Sequence, residues 1–365
     1  MKHRALVACA VTAGLAFTVA ACGSDNSSPS TGSSGTSTPA AKKAKVGVIL
    51  PDTASSARWE GADRPLLTKA FADAGVDADI QNANGDKAKF GTIADQMLNE
   101  GVNAMLIVNL DSPSAAAVIS KAKQQGVPVI DYDRLTLGGG AQYYVSFDNV
   151  AVGTAQGQGL VKCMQANGDK SGPVALLNGS PTDNNATLFK QGYEKAITDA
   201  GYKVAADQSV PDWDNTKAGT IFEQMYTKAN GKFVGVDAAN DGLGGAVVSV
   251  LKRNGQNGKV PVTGQDATAE GIQHILAGEQ CMTVYKRVKE EAAAASKLAI
   301  ALAKGQTPTT NGTVDNKTTK TPSVLLQPQA VTKANIKDTV IKDGFLKRSD
   351  ICVGKFASLC TKAGI

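Results

Sequence analysis

Three short apolar runs in this chain each close on polar residues suited to gripping a small neutral molecule. VPVIDYDR ends on Asp133 and Arg134, FVGVDAAND on Asn240 and Asp241, and VPVTGQDA on Asp266. In a parallel α/β sheet, ligands settle in the crevice beyond the carboxyl ends of the strands, where such residues project. A carboxylate can accept two hydrogen bonds and an arginine fork can donate two, so the set suits a small neutral molecule with polar groups at its rim. The pattern predicts a binding cleft.

Enzyme chemistry is hard to assemble from the same residues. After the leading segment the chain holds one histidine, His274, which falls in a predicted helix beside Gln273 and reads as a surface residue. Neither a Ser-His-Asp triad nor a histidine-rich metal site follows from it. The first strand runs into PDTASSARW, which has no GxGxxG fingerprint, and the glycines from Asp241 to Gly245 read as a tight strand-to-helix turn. A calcium-loop template laid from Ile80 to Gly91 fails, because an apolar residue takes the first ligand position and a glycine the place of the bidentate glutamate. The expectation is a binding protein with no cofactor and no metal.

The elements that must position these residues alternate regularly. Strand-like KVGVIL (45–50) precedes a predicted helix from Arg58 to Asp73, then strand VDADIQ, a helix from Lys87 to Asn99, strand NAMLIV, a helix from Pro113 to Gln125 and strand VPVI. Gly75, Gly101 and Gly126 stand where helix C-caps are expected. The second half repeats the scheme: PVALLN (173–178), a helix from Asn185 to Ala200, YKVAAD, a helix from Thr216 to Ala229, FVGV, a helix from Asp241 to Arg253, KVPVT, a helix from Thr268 to Leu276, MTVY and a helix over 290–304. Repeated βα units imply parallel sheets covered on both faces. About 320 residues exceed what one core usually organises, so two doubly wound, Rossmann-like α/β lobes are expected.

The leading segment indicates export. Lys2 and Arg4 precede an uncharged apolar stretch from Ala5 to Ala20, and Val19-Ala20-Ala21-Cys22 sets small residues before a cysteine. Residues 1–21 read as a signal peptide, and VAAC resembles the bacterial lipobox, which makes Cys22 a lipid-anchor candidate on the outer face of the cytoplasmic membrane. Residues 22–44, dominated by Ser, Thr, Gly, Pro and Ala, read as a flexible tether. Without the signal, 36 basic residues face 33 acidic ones, and no basic stripe with interleaved aromatics supports nucleic-acid binding. Cys163, Cys281, Cys352 and Cys360 allow two disulfides in three pairings; the short loop from Cys352 to Cys360 favours that pair and leaves Cys163 with Cys281.

The segments RWEGADR, QNANGD, VIDYDR, YYVSFDN, GSPTDNNA, QSVPDWD, AAND, GQDA, MTVYK and IKDTVIKDGF resemble those of bacterial periplasmic sugar-binding proteins of the ribose/xylose class, from Lys45 to about Ser349. The resemblance implies a type 1 periplasmic-binding-protein fold, with lobes of 45–147 plus 287–322 and of 148–286 plus 323–365. It implies a three-strand hinge at YYVSFDN (143–149), TVYK and PSVLLQP (322–328). It also implies a pyranose held between two aromatic rings, at positions matched by the chain's two tryptophans, Trp59 and Trp213. A sugar's C–H faces are apolar and pack on an indole, while its hydroxyls point to polar partners. Those partners would be Arg58, Asp133 and Arg134 on the first lobe, Asp183, Asn185, Asn240 and Asp266 on the second, and Lys286 near a crossing. Asp183, Asn185 and Asn240 also read as ordinary helix caps. The expected role is a monomeric, lipid-anchored subunit that delivers a monosaccharide to an ABC permease. D-xylose leads, with glucose, ribose or galactose as the alternative; a receptor for a membrane sensor would share the same cleft. A sugar-responsive repressor would need an N-terminal DNA-binding helix-turn-helix where the lipobox and tether stand.

Overall fold

Short β-branched runs too apolar for a surface become buried strands, and glycine-terminated amphipathic runs become the helices that cover them. A computed structural model describes residues 43–365. The signal segment, Cys22 and the tether up to residue 42 lie outside the described residues. The strands are β1 (Lys45–Leu50), β2 (Asp77–Asn82), β3 (Ala104–Ile107), β4 (Val129–Tyr132), β5 (Tyr143–Phe147), β6 (Pro173–Asn178), β7 (Lys203–Ser209), β8 (Gly235–Ala238), β9 (Met282–Tyr285), β10 (Gly312–Asp315), β11 (Lys320–Leu326) and β12 (Gln329–Thr332). The α-helices are α1 (Arg64–Asp73), α2 (Lys87–Asn99), α3 (Ser112–Gln124), α4 (Asn149–Ala166), α5 (Asn184–Asp199), α6 (Asn215–Lys228), α7 (Asp241–Arg253), α8 (Ala269–Ala277), α9 (Val288–Ala303), α10 (Arg348–Ile351) and α11 (Phe356–Lys362).

The first sheet runs β10-β11-β5-β4-β3-β1-β2, parallel except for the antiparallel edge strand β10. One face is covered by Leu67 and Phe71 of α1 with Ala292, Ala295 and Leu298 of α9. The other is covered by Phe90, Ile93 and Met97 of α2 with Ala115, Val118 and Ile119 of α3. Helices on both faces explain why these strands read as unbroken apolar runs rather than alternating ones.

The second sheet has a parallel part, β7-β6-β8, and an antiparallel pair, β12-β9. The run KVPVT, expected as a strand, is reduced to one bridge between Val236 and Val262. Pro261 has no N–H to give a ladder. The segment still stitches the two parts together, since Thr263 N donates to Val236 O at 3.1 Å and Cys281 N to Val262 O at 2.8 Å. α4 and α5 pack with almost no gap: a Cβ on Gly153 would lie 1.9 Å from the Phe189 carbonyl oxygen.

The chain passes between the lobes three times: after β5 into α4, after β9 into α9, and between β11 and β12. β11 stays with the first sheet to Leu326, so a lobe boundary after residue 322 would cut through it, and the last passage lies at Gln327 and Pro328. The predicted helix from Arg58 opens as a π-turn over Trp59–Asp63 before α1. The C-terminal segment packs Ile351 and Cys360 against Ile272 and Ile275 of α8. Disulfides join Cys163 to Cys281 and Cys352 to Cys360. His274 is not the surface residue expected: its side chain is 16% exposed and bonds Glu279 through Nδ1 at 2.9 Å.

Candidate ligand-binding cleft

Where the two lobes meet, strand ends and helix starts converge on a narrow cavity of about 30 Å³. Arg58, Trp59, Asp133, Arg134, Asp183, Asn185, Trp213, Asn240, Asp266 and Lys286 all line it. Ser55, Ser56, Phe189 and Gln265, which the sequence reading passed over, complete the wall. Asp241 does not: its carboxylate turns inward to Thr268 N at 2.7 Å, and to Gln280 Nε2 and Thr283 Oγ1 at 2.8 Å each.

Each residue is placed by a local device. Asp133 and Arg134 follow the last residue of β4, with Asp133 in the left-handed region at φ 62°. Asp183 and Asn240 are the N-caps of α5 and α7, accepting from Asn185 N and Leu243 N at 2.9 Å each. The cap and the cavity use the same atoms' neighbourhood, so the two readings of these residues coincide: a helix start aims its cap into the crevice. Asp266 stands at φ 95°, and Trp213 closes the short turn Pro211–Trp213 at φ 57°. A bulky residue held left-handed is strained backbone, which concentrates at functional sites.

Asp133 is the hub. Its carboxylate accepts from Arg58 Nη1 at 2.9 Å, Lys286 Nζ at 3.3 Å and Asn185 Nδ2 at 3.0 Å. Burial alone would push its pKa up, but Lys286, Arg58 and Arg134 more than offset this and hold it below the usual carboxylate value. Arg58 is pinned from behind by Asp63, at 2.9 and 2.8 Å, and by Glu291 of α9 at 2.5 Å. Glu291 is driven the other way, well above its ordinary range, by burial and by the neighbouring carboxylates of Asp133 and Asp63. The Arg58 guanidinium stands 4.5 Å, and that of Arg134 5.6 Å, from the Trp59 ring centre.

Contacts cross the cleft at several points. Arg134 Nε meets Asp183 Oδ2 at 3.0 Å, an oxygen that also accepts from the Trp213 indole of its own lobe at 3.1 Å, and Ser56 Oγ donates across to Asp266 Oδ2 at 3.1 Å. Asn240 Nδ2 reaches Ser55 O at 3.3 Å. A wider, open cleft of about 540 Å³ adjoins this cavity, with Arg134, Asp183 and Trp213 as the common wall. Two indoles, forked cations, carboxylates and amides around one small space can hold a neutral ring by its faces and bond its rim. Among the described residues no cluster of His, Cys, Asp and Glu has metal-site geometry, and no helix is long and apolar enough to cross a membrane.

Three further buried carboxylates set the pH response of the fold. Burial raises Asp131 to about 7, Asp237 to about 8 and Asp241 to about 7. Between about pH 4, where unfolded carboxyls ionise, and these values, the folded state holds protons that the unfolded chain has released, so stability falls as pH rises. His274 works in the same direction: burial lowers its pKa, but Glu270 and Glu279 raise it further, so its contribution is lost as pH rises. We expect the thermal midpoint to be several degrees lower at pH 8 than at pH 5. Circular-dichroism melts across that range check this, and a midpoint that climbs with pH would contradict it.

Fold and cleft together define a two-lobed solute-binding protein of the type 1 periplasmic architecture. Residues 46–307 match the family described as periplasmic binding protein domain, and the chain belongs to that family. It is 38% identical over 315 residues to the D-xylose-binding periplasmic protein of Escherichia coli (strain K12), covering 85% of this chain and 93% of that protein. It is 35% identical over 314 residues to the D-xylose-binding periplasmic protein of Haemophilus influenzae, covering 85% and 92%. Among solved structures, a carbohydrate-transporter solute-binding protein from Chloroflexus aurantiacus in complex with D-glucose matches with a TM-score of 0.76 and 29% identity, covering 84% of this chain and 97% of that one. These relatives are solute-binding proteins, not enzymes.

Proposed function

We propose that the protein is the sugar-binding subunit of an ABC importer, exported and held to the membrane through a lipidated Cys22, with D-xylose as its ligand. The observation that carries the reading is the convergence of ten residues, chosen from sequence, on one cavity between the lobes. Trp59 and Trp213 offer apolar faces for the ring; Arg58, Arg134 and Lys286 donate, Asp133, Asp183 and Asp266 accept, and Asn185 and Asn240 do both. The residues come from both lobes, so a sugar touching all of them favours the closed arrangement, because only that arrangement supplies every contact. Closure then presents a joined surface to the permease. The names of the E. coli and H. influenzae relatives support xylose, while the D-glucose complex of the C. aurantiacus relative supports a hexose as second reading. The two differ by one hydroxymethyl group, worth about 1–3 kcal/mol in a fitted pocket.

The test is isothermal titration of residues 42–365 with xylose, glucose, ribose, galactose and arabinose. Tight xylose binding with weak binding of the others is the expected result; preference for glucose moves the second reading ahead, and heat from none of them removes the sugar reading. For the anchor, Cys22→Ser is expected to move the protein from the membrane fraction to the soluble fraction.

A further inference from the structure

Resting on the sugar-binding reading, we propose that Gln265 contacts the ligand: its side-chain carbonyl accepts a hydrogen bond from one sugar hydroxyl while its amide nitrogen holds Asp266 in place for another.

Gln265 lines the cavity and is 2% exposed. Its Nε2 donates to Asp266 Oδ1, which fixes the amide's orientation, since the oxygen turned to a carboxylate would repel it. Its Oε1 is then buried with no hydrogen-bond partner among the described residues. Several other buried side-chain oxygens share that condition, on Asn149, Gln156, Asp237, Gln280, Glu291 and Thr321, but none of these residues lines the cavity. A buried acceptor left unpaired is costly, and one on a residue that lines a ligand cavity is satisfied by a donor that the ligand brings within reach. Every sugar hydroxyl carries such a donor.

The backbone holds the side chain in this position. The Gln265 carbonyl accepts from Asp241 N at 2.9 Å at the start of α7, and Asp266 N donates to Val284 O at 2.9 Å on β9. Asp266 and Ala267 both stand left-handed, at φ 95° and 53°. The Asp266 carboxylate is shared with Ser56 Oγ at 3.1 Å and Lys286 Nζ at 3.8 Å, so Gln265 is a neutral neighbour of the Asp266–Lys286 pair and reads a hydroxyl without adding charge.

The experiment pairs a side-chain change with hydroxyl deletions in the sugar. Titrations of the parent protein, Gln265→Met and Gln265→Ala would use D-xylose, D-glucose and the monodeoxy analogues of each. Circular-dichroism melts establish that the variants fold; Gln265→Ala keeps the backbone bonds if the methionine does not fit. The expected result is a loss of about tenfold or more with the intact sugar that shrinks to about twofold with one particular deoxy analogue, because that analogue lacks the hydroxyl Gln265 binds. An equal loss with every analogue would mean that Gln265 only supports the loop, and unchanged affinity would mean no contact; either overturns the proposal. A parent protein that binds no aldose removes the sugar reading itself, and this contact with it, which separates the two failures.

Discussion

Asp133→Ala is expected to abolish measurable monosaccharide binding and to lower the free energy of unfolding by about 3–5 kcal/mol, the cost of breaking a buried ion pair from one side. Two cations depend on this carboxylate to different degrees. Arg58 keeps Asp63 and Glu291 when it is removed, whereas Lys286 keeps only Asp266, at 3.8 Å. A buried ammonium without close compensation either loses its proton or draws water into the cavity, and both outcomes remove a donor that a sugar oxygen needs. The backbone adds to the loss, since φ 62° at this position suits Asp or Asn better than Ala. Asp133→Asn is therefore the informative control. It keeps the side chain's shape and one acceptor oxygen and loses the charge and the second acceptor, while the backbone carbonyl that accepts from Ser146 Oγ at 2.7 Å and Tyr144 Oη at 3.1 Å is common to both variants. Binding by the Asn variant should be intermediate. Titration calorimetry and urea unfolding read the two effects separately, and parent-like values for the alanine variant in both would remove Asp133 from the centre of the site.

Trp213→Ala is expected to weaken sugar binding at least tenfold, about 1.4 kcal/mol. The outer edge of the indole comes so close to Gly179 that a Cβ there would be 2.0 Å from its Cη2, and the Trp213 and Phe189 rings pack edge-on at 6.5 Å. Its N–H reaches Asp183 at 3.1 Å, so the ring is oriented by packing behind and by a hydrogen bond at its edge. Alanine removes the apolar platform and one donor to Asp183; Arg134 remains on that carboxylate at 3.0 Å. Phenylalanine would keep much of the platform and lose only the N–H, so Trp213→Phe should fall between parent and alanine. Titration with the preferred sugar measures this order, and an alanine variant that binds as tightly as the parent would show that the ring is core rather than platform.

Most of the strand-helix order was legible because it rests on local chemistry. Buried β-branched runs, glycines after amphipathic stretches and Asp or Asn at helix starts place α2 and α7 at the residues read from sequence. KVPVT misled because its apolarity is real but Pro261 accepts from Val236 N and has no N–H to donate in return, and the edge strand β10 was missed because Gly312–Asp315 carries almost no apolar signal. In the site, Asp133, Arg134, Asn240 and Asp266 were visible as polar ends of apolar runs. Gln265 was hidden beside Asp266, and Glu291 within an alanine-rich helix, where a single acid reads as a solvated face until it is found buried against Arg58.

What the sequence determined by itself is therefore the alternation of elements and the residue types at their ends, since propensity, capping and burial act over a few neighbours. Only the tertiary structure decided which of those ends share one cavity, which carboxylates are held ionised by Arg58 and Lys286, and which keep their protons in the core. Those outcomes depend on distances between segments up to 233 positions apart, as between Arg58 and Glu291, and electrostatics and desolvation are set by separation in space rather than along the chain.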